Sequence, residues 1–159
     1  MEHHLTACEF DTPFGKLRLT ACEDALVELL PFWMETRCLK SVHGTNEILF
    51  SAKKELQEYF AGERRVFTVP LKPKGTAFQK RVWQQLCAIP YGAVCNYGEI
   101  AARMGQPRAA RAVGMANNRN PIMIMIPCHR VIGKNGSLVG YAGGLGMKEA
   151  LLRLEGSIL

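Results

Sequence analysis

Two prolines and a glycine fall within seven residues at Val69-Pro70-Leu71-Lys72-Pro73-Lys74-Gly75, near the middle of the 159-residue chain. Proline locks φ and removes a backbone donor, so neither a helix nor a central strand can run through this stretch. It reads as a linker between two kinds of pattern. Before it, apolar and polar residues alternate in short runs; after it, apolar residues recur at helical spacing. An α+β protein is therefore expected, with residues 1–70 as an N-terminal α/β subdomain around a small antiparallel sheet. Residues 71–159 are expected to form a mainly helical C-terminal subdomain. A content of 48% apolar and 21% charged residues excludes a disordered, collagen-like or coiled-coil chain.

No apolar run approaches the ~18 residues that span a bilayer. The start, MEHHLTACEF, carries two acids and no apolar core of signal-peptide length, so a cytoplasmic protein without membrane contact is expected. Charge is divided unevenly. Residues 1–70 hold eight Lys/Arg against eleven Asp/Glu, and residues 71–159 hold twelve against three. A basic half of this size fits a polyanion partner, whose condensed counterions are released on binding; a merely solubilising surface is the other reading. The six cysteines, Cys8, Cys22, Cys38, Cys87, Cys95 and Cys128, form no CxxC pair, which removes zinc-ribbon spacing. They read as reduced thiols, with Cys22, Cys87 and Cys95 as small buried hydrophobes.

Lys16–Ala21 reads as a strand after the turn Thr12-Pro13-Phe14-Gly15, and Ala25–Leu30 as its partner. Ile48, Leu49, Leu56 and Phe60 predict a helix over Asn46–Phe60, ended by Gly62. In the second half, Phe78, Val82, Trp83 and Leu86 predict a helix from about Thr76 to Ala88, stopped at Pro90-Tyr91-Gly92. Tyr97–Met104 reads as a short helix ended by Gly105, and Arg108–Asn117 as the next, with Pro107 at its N1 position. Together they make a helix-turn-helix pattern. The second helix carries Arg108, Arg111 and Arg119 among Ala109, Ala110, Ala112, Gly114 and Ala116. Such a helix can either approach a nucleic-acid groove closely or pack its small-residue face on another helix. Ile122–Ile126 predicts a buried extended segment, and Met147–Leu154 a closing helix.

Pro127-Cys128-His129-Arg130-Val131 is the stretch with most chemistry. A cysteine becomes a nucleophile when positive charge or an adjacent base stabilises its thiolate. The pair Cys128-His129 alone fits a buried structural cysteine beside a core histidine better than a nucleophile, since an active-site cysteine needs a supporting constellation that two letters do not show.

This segment resembles the active-site signature of methylated-DNA–protein-cysteine methyltransferases, the O6-alkylguanine-DNA alkyltransferase family. Further matching pieces lie in order: Asn96-Tyr97-Gly98-Glu99-Ile100-Ala101, Ala109-Ala110-Arg111-Ala112-Val113-Gly114, Asn120-Pro121, Gly140-Tyr141-Ala142-Gly143-Gly144, Lys148-Glu149, Leu151-Leu152 and Glu155-Gly156. The likeness is dense from about Phe78 to Gly156. Before that, Thr12-Pro13-Phe14-Gly15 and Tyr59-Phe60-Ala61-Gly62 also fit.

The resemblance implies a ribonuclease-H-like N-terminal part and a winged-helix-like C-terminal part. It implies direct repair: an alkyl group moves from O6 of guanine, and from O4 of alkylated thymine, in duplex DNA to Cys128. No cofactor or metal takes part, each molecule acts once, and a monomer is expected. Carried over residue by residue, His129 acts as base through a water, Glu155 orients His129, and Tyr141 donates a proton toward the leaving base. Arg111 fills the gap left by the everted base, and Tyr97 presses on the adjoining phosphate. Ala110 and Gly114 allow close approach, and Asn120 braces the turn after the recognition helix. Val131, Ala142, Gly143 and Met123 would line the base pocket. Arg130 is expected to make a structural ion pair.

Two departures stand out. His3 and Cys22 fall near two positions at which some relatives hold zinc, without a third and fourth ligand. Met123 stands where some relatives carry a second proline, which bears on adduct range. Competing readings are a non-enzymatic alkylated-DNA binding protein, a helix-turn-helix regulator, and a cysteine hydrolase. The first would lack the reactive cysteine, the second leaves Cys128, Tyr141 and Glu155 without a role, and the third would turn over.

Overall fold

A computed structural model describes residues 4–158, which form two compact units that part between Lys74 and Gly75. In the first unit, strands β1 (Thr6–Thr12), β2 (Gly15–Ala21), β3 (Leu26–Pro31) and β4 (Val42–His43) form a sheet in the order β3-β2-β1-β4. The β1–β2 hairpin pairs Thr6 with Ala21 through Thr12 with Gly15, and Gly15 takes φ 104°, a conformation that favours glycine. Leu17, Leu19 and Ala21 alternate onto the buried face, as a half-buried strand requires. Helix α1 (Glu47–Phe60) covers that face with Leu49, Ala52, Leu56 and Tyr59. Its N-cap Asn46 accepts from the Leu49 N–H at 2.9 Å.

The sheet is antiparallel through β1–β2 and β2–β3 only; β4 pairs with β1 in parallel over two residues. Strand β1 has no counterpart in the sequence reading; Cys8 is its one buried residue, with Ala7 and Phe10 half-buried. The Pro-rich linker also proves more ordered than expected. Leu71 bridges Leu26, the Leu26 N–H donates to the Pro70 carbonyl at 2.9 Å, and Lys72 N–H donates to the Leu26 carbonyl. Neither proline has to donate in this pairing. Just before it, the buried Glu55 carboxylate accepts from Thr68 N–H, Thr68 Oγ1 and Val69 N–H, which fastens the strand to α1. A cavity of about 270 Å³ beside Glu55, Glu58, Arg64 and Thr68 belongs to this unit and contains none of the candidate site residues.

The second unit comprises α2 (Ala77–Cys87), α3 (Tyr97–Arg103), α4 (Ala110–Asn118) and α5 (Leu145–Leu154), with two two-residue strands, β5 (Cys95–Asn96) and β6 (Val131–Ile132). Thr76 and Gln79 form a reciprocal capping box at the start of α2. Asn96 caps α3 by accepting from Glu99 N–H at 2.8 Å. Val82, Trp83 and Leu86 are buried, and Trp83 Nε1 donates to the Ala116 carbonyl at 2.9 Å, which pins α4 to α2.

Three expectations need correction here. Helix α4 begins at Ala110, not Arg108: Pro107 and Arg108 form a turn closed by Ala109 N–H to the Gln106 carbonyl, so Pro107 is not an N1 residue. Residues Ile122–Ile126 are buried but turn rather than extend, with Ile126 N–H donating to the Ile122 carbonyl and Ile124 at φ 73°. The Asn120 side chain makes that turn possible, accepting from Ile122 N–H at 3.0 Å and donating to the Ile126 carbonyl at 2.8 Å. Cys87, the last residue of α2, is exposed rather than buried. Among the described residues no helix is long and apolar enough to cross a membrane.

Replacing Trp83 with Phe removes the hydrogen bond to Ala116 and part of the packed volume beneath α4. A loss of about 1–3 kcal/mol in urea unfolding is expected; a midpoint equal to that of the unmodified protein would contradict this role for Trp83.

Candidate active site

The site assembles around one buried carboxylate. Glu155, the residue that ends α5, lies 2.7 Å from His129 Nε2 through Oε2. Its Oε1 accepts from Arg130 Nε at 2.7 Å, and Oε2 accepts from Arg130 Nη2 at 3.1 Å. Arg130 Nη1 donates to the Ile89 carbonyl at 2.7 Å. The side chains of His129 and Glu155 are fully buried. A two-pronged guanidinium neutralises the carboxylate and satisfies both its oxygens, which makes a buried acid tolerable. Cys128, His129 and Arg130 form a single 3-10 turn, from which His129 and Arg130 both reach Glu155.

Burial is the main reason the His129 pKa is lowered, and the Glu155 hydrogen bond and charge only partly restore it. The ring is therefore neutral near pH 7. With its Nε2 proton held on the carboxylate, Nδ1 is the basic nitrogen, and that atom has no hydrogen-bond partner among the described residues.

The sulfur is held differently from what its neighbours in sequence suggest. Cys128 is 2% exposed. Burial pushes its thiol up to about 11, against the Asn120 side-chain hydrogen bond, the Lys148 charge and a backbone hydrogen bond, which draw it down. Arg130 is committed to Glu155, so the positive charge acting on the sulfur is that of Lys148. This lysine is fully buried on α5; its Nζ donates to the Val131 carbonyl and, at 2.7 Å, to the Val139 carbonyl. Burial lowers its own pKa to about 8, and the nearby Cys128 opposes that shift. Lys148 was quoted in the sequence only as part of a motif. A signal for it existed: it lies on the inward face of α5 with Leu151, Leu152 and Glu155, where a lysine needs a reason to be. Asn117 was missed altogether. It is buried on α4, and its Nδ2 donates to the Cys128 carbonyl at 3.4 Å.

The other residues singled out in the sequence fall into two groups. Met123, Tyr141 and Gly143 meet: a Cβ on Gly143 would lie 2.9 Å from Met123 Cε and from Tyr141 Cε1, and 3.1 Å from Met147 Sδ. Val131 is buried in β6, and Ala142 is exposed. Tyr97 opens α3 directly after β5, whose parallel pairing with β6 brings it to the segment that carries Cys128. The Tyr97 hydroxyl donates to the Val139 carbonyl at 3.4 Å, and its ring would stand 3.8 Å from a Cβ on Gly114. Ala110 is half-buried and Arg111 exposed on α4, while Asn120 is buried. Cys22 is buried with Sγ donating to the Ala25 carbonyl at 3.5 Å, and His3 lies outside the described residues.

A thiol raised from 9.0 to about 11 keeps its proton in the folded state over a range in which the unfolded chain has lost it. Its stabilising contribution is full below pH 9 and is lost as the pH rises through 11. Lys148, lowered from 10.5 to about 8, acts with the opposite sign between those values, and this largely cancels when two variants that both carry it are compared. Urea unfolding at pH 8 and pH 10.5 should show the wild type losing stability relative to Cys128→Ala; parallel curves would contradict the burial of the sulfur.

The family model described as 6-O-methylguanine DNA methyltransferase, DNA binding domain, matches residues 77–157. The model described as the ribonuclease-like domain of the same enzymes matches residues 5–73. A methylated-DNA–protein-cysteine methyltransferase of Methanosarcina acetivorans is 48% identical over 93% of this chain and 96% of its own. The constitutive one of Bacillus subtilis is 47% identical over 98% of this chain and 96% of its own. The Mycobacterium tuberculosis OGT in its complex with DNA superposes with a TM-score of 0.89 at 45% identity, covering 97% of this chain and 93% of that one. The two matched segments, taken with these identities, place the chain in the methylated-DNA–protein-cysteine methyltransferase family.

Proposed function

We propose that this protein repairs DNA by moving an alkyl group from O6 of guanine, and from O4 of thymine, onto its own Cys128, once per molecule. The observation that carries this reading is the cluster at Glu155: a neutral histidine held on a neutralised carboxylate, directly following a buried cysteine in sequence. Two competing readings fare worse. A regulator has no use for the cluster, and a non-enzymatic alkylated-DNA binder has no use for the thiol.

A thiol buried to this depth cannot attack a base still stacked in a duplex. The base has to be turned out into the protein, at a cost of a few kcal/mol that is smaller for a lesion already pairing badly. Arg111 then fills the vacated stack, and Tyr97 presses on the adjoining phosphate. Ala110 and Gly114 let α4 come close to the backbone, and Asn120 keeps the following turn in place. Met123, Val131, Ala142 and Gly143 receive the base.

His129 Nδ1 takes the Cys128 proton through a water, and Glu155 stabilises the imidazolium that results. Lys148 and the Asn120 amide favour the thiolate at that moment. The sulfur attacks the alkyl carbon in line, a carbon–sulfur bond forms, and the carbon–oxygen bond breaks with its electron pair going to the base oxygen. Tyr141 donates the proton that prevents a full negative charge on the ring. The thioether product has no route back, which makes the reaction single-turnover. A monomer acting on duplex DNA in the cytoplasm, without cofactor, is the form in which we expect this to occur.

Incubation with duplex DNA carrying a radiolabelled O6-methyl group should place label on the protein up to one equivalent and then stop. Cys128→Ser should abolish this. Loss of methyl from DNA beyond one equivalent per chain would instead mark a hydrolase, and binding without label would mark a lesion binder.

A further inference from the structure

The outer face of α4 carries one side chain that neither the fold nor the site accounts for. Met115 is 70% exposed in the middle of the helix, four residues after Arg111 and four before Arg119. At 3.6 residues per turn Arg111 and Met115 stand in one row, with Arg119 following as the C-cap just past the helix. Ala112 and Asn118, both exposed, stand one turn to either side of Met115, and Gly114 precedes it. A single exposed methionine on an ordinary surface would mean little. This one is flanked by two guanidinium groups, on a helix of the half that holds twelve Lys/Arg against three Asp/Glu. The arginines attract a polyanion, but a thioether gains nothing from phosphate. What an apolar chain standing between them can bury itself against is sugar and base. On an Ala- and Gly-lined helix that comes close to a duplex, a chain of this length projects beyond its neighbours toward the stack. Unbranched and flexible, methionine suits an irregular gap between bases.

We propose that Met115 is an apolar wedge that enters the groove of duplex DNA beside Arg111 and loosens the base step next to the lesion. It thereby sets how readily the alkylated base leaves the stack. Side chains of this kind, methionine included, unstack base steps when inserted from the minor groove. The proposal rests on the reading that Cys128 takes its alkyl group from duplex DNA, and it adds a determinant of the eversion step.

The test uses the full chain and one oligonucleotide sequence containing O6-methylguanine beside 2-aminopurine, as a duplex and as a single strand. Met115→Ala should slow methyl transfer from the duplex about tenfold and reduce the 2-aminopurine fluorescence rise on binding. On the single strand, where little stacking has to be undone, the loss should be much smaller. Met115→Leu should restore the duplex rate. An equal loss on both substrates, or an undiminished duplex rate in Met115→Ala, overturns the wedge. If the unmodified protein transfers no methyl group at all, the reading of Cys128 fails instead, and the fluorescence rise on the duplex still decides the role of Met115.

Discussion

A carboxylate in the interior of a protein is a liability unless something both neutralises it and satisfies its oxygens. Glu155 meets that condition through Arg130, which grips it with Nε and Nη2, and through His129, which shares Oε2. The rest of the second unit follows from this contact. It ties the end of α5 to the 3-10 turn at residues 128–130, and Arg130 extends the tie to the Ile89 carbonyl beyond α2. Removing the carboxylate would leave a guanidinium buried without its partner, so the arrangement stands or falls as a whole. It also decides the chemistry. Burial, with the Arg130 charge adding to it, keeps His129 neutral against the pull of Glu155 and leaves a basic nitrogen available.

The sulfur is governed by a second, separate set of contacts. Burial keeps it protonated, whereas Asn120, Lys148 and the backbone favour its charge. Lys148 has a structural duty as well, since Nζ joins the Val131 and Val139 carbonyls and so links the strand after Cys128 to the loop that leads to Tyr141. A thiol that is inert in water yet next to a buried ammonium suits an acceptor that can be used only once. It should be discharged only when the right substrate fills the space around it. All of these groups lie in the second unit; the first builds its own core on the Leu17, Leu19 and Leu56 side chains.

Local signals in the sequence were read well where local physics dominates. The apolar spacing of Leu49, Leu56 and Phe60 and of Phe78, Val82, Trp83 and Leu86, the stop at Gly105 and the run Lys16–Ala21 place α1, α2, α3 and β2 nearly where they are. Strand β1 was illegible because only Cys8 among its seven residues is buried, with Ala7 and Phe10 half-buried on opposite faces, and its pairing with β2 makes it a strand. Ile122–Ile126 looked extended because five apolar residues in a row carry no sign of a turn. The turn is imposed by Asn120, a residue outside the run. At the site, Cys128 and His129 were conspicuous. Their surroundings were not: Arg130 makes the structural ion pair that the resemblance implies, with Glu155, but nothing in the sequence marks Lys148 as the cation near the sulfur. Asn117 and Lys148 act across distances in sequence that no motif spacing encodes.

The central claim is that the methyl group ends on one particular sulfur among six. Digestion of the protein after exposure to duplex DNA containing O6-methylguanine, followed by mass measurement of each cysteine-bearing peptide, tests it directly. The account predicts that the peptide with Cys128 alone gains the mass of a methyl group in place of a hydrogen. A gain on the peptide with the exposed Cys87, or on none of the six, would contradict it.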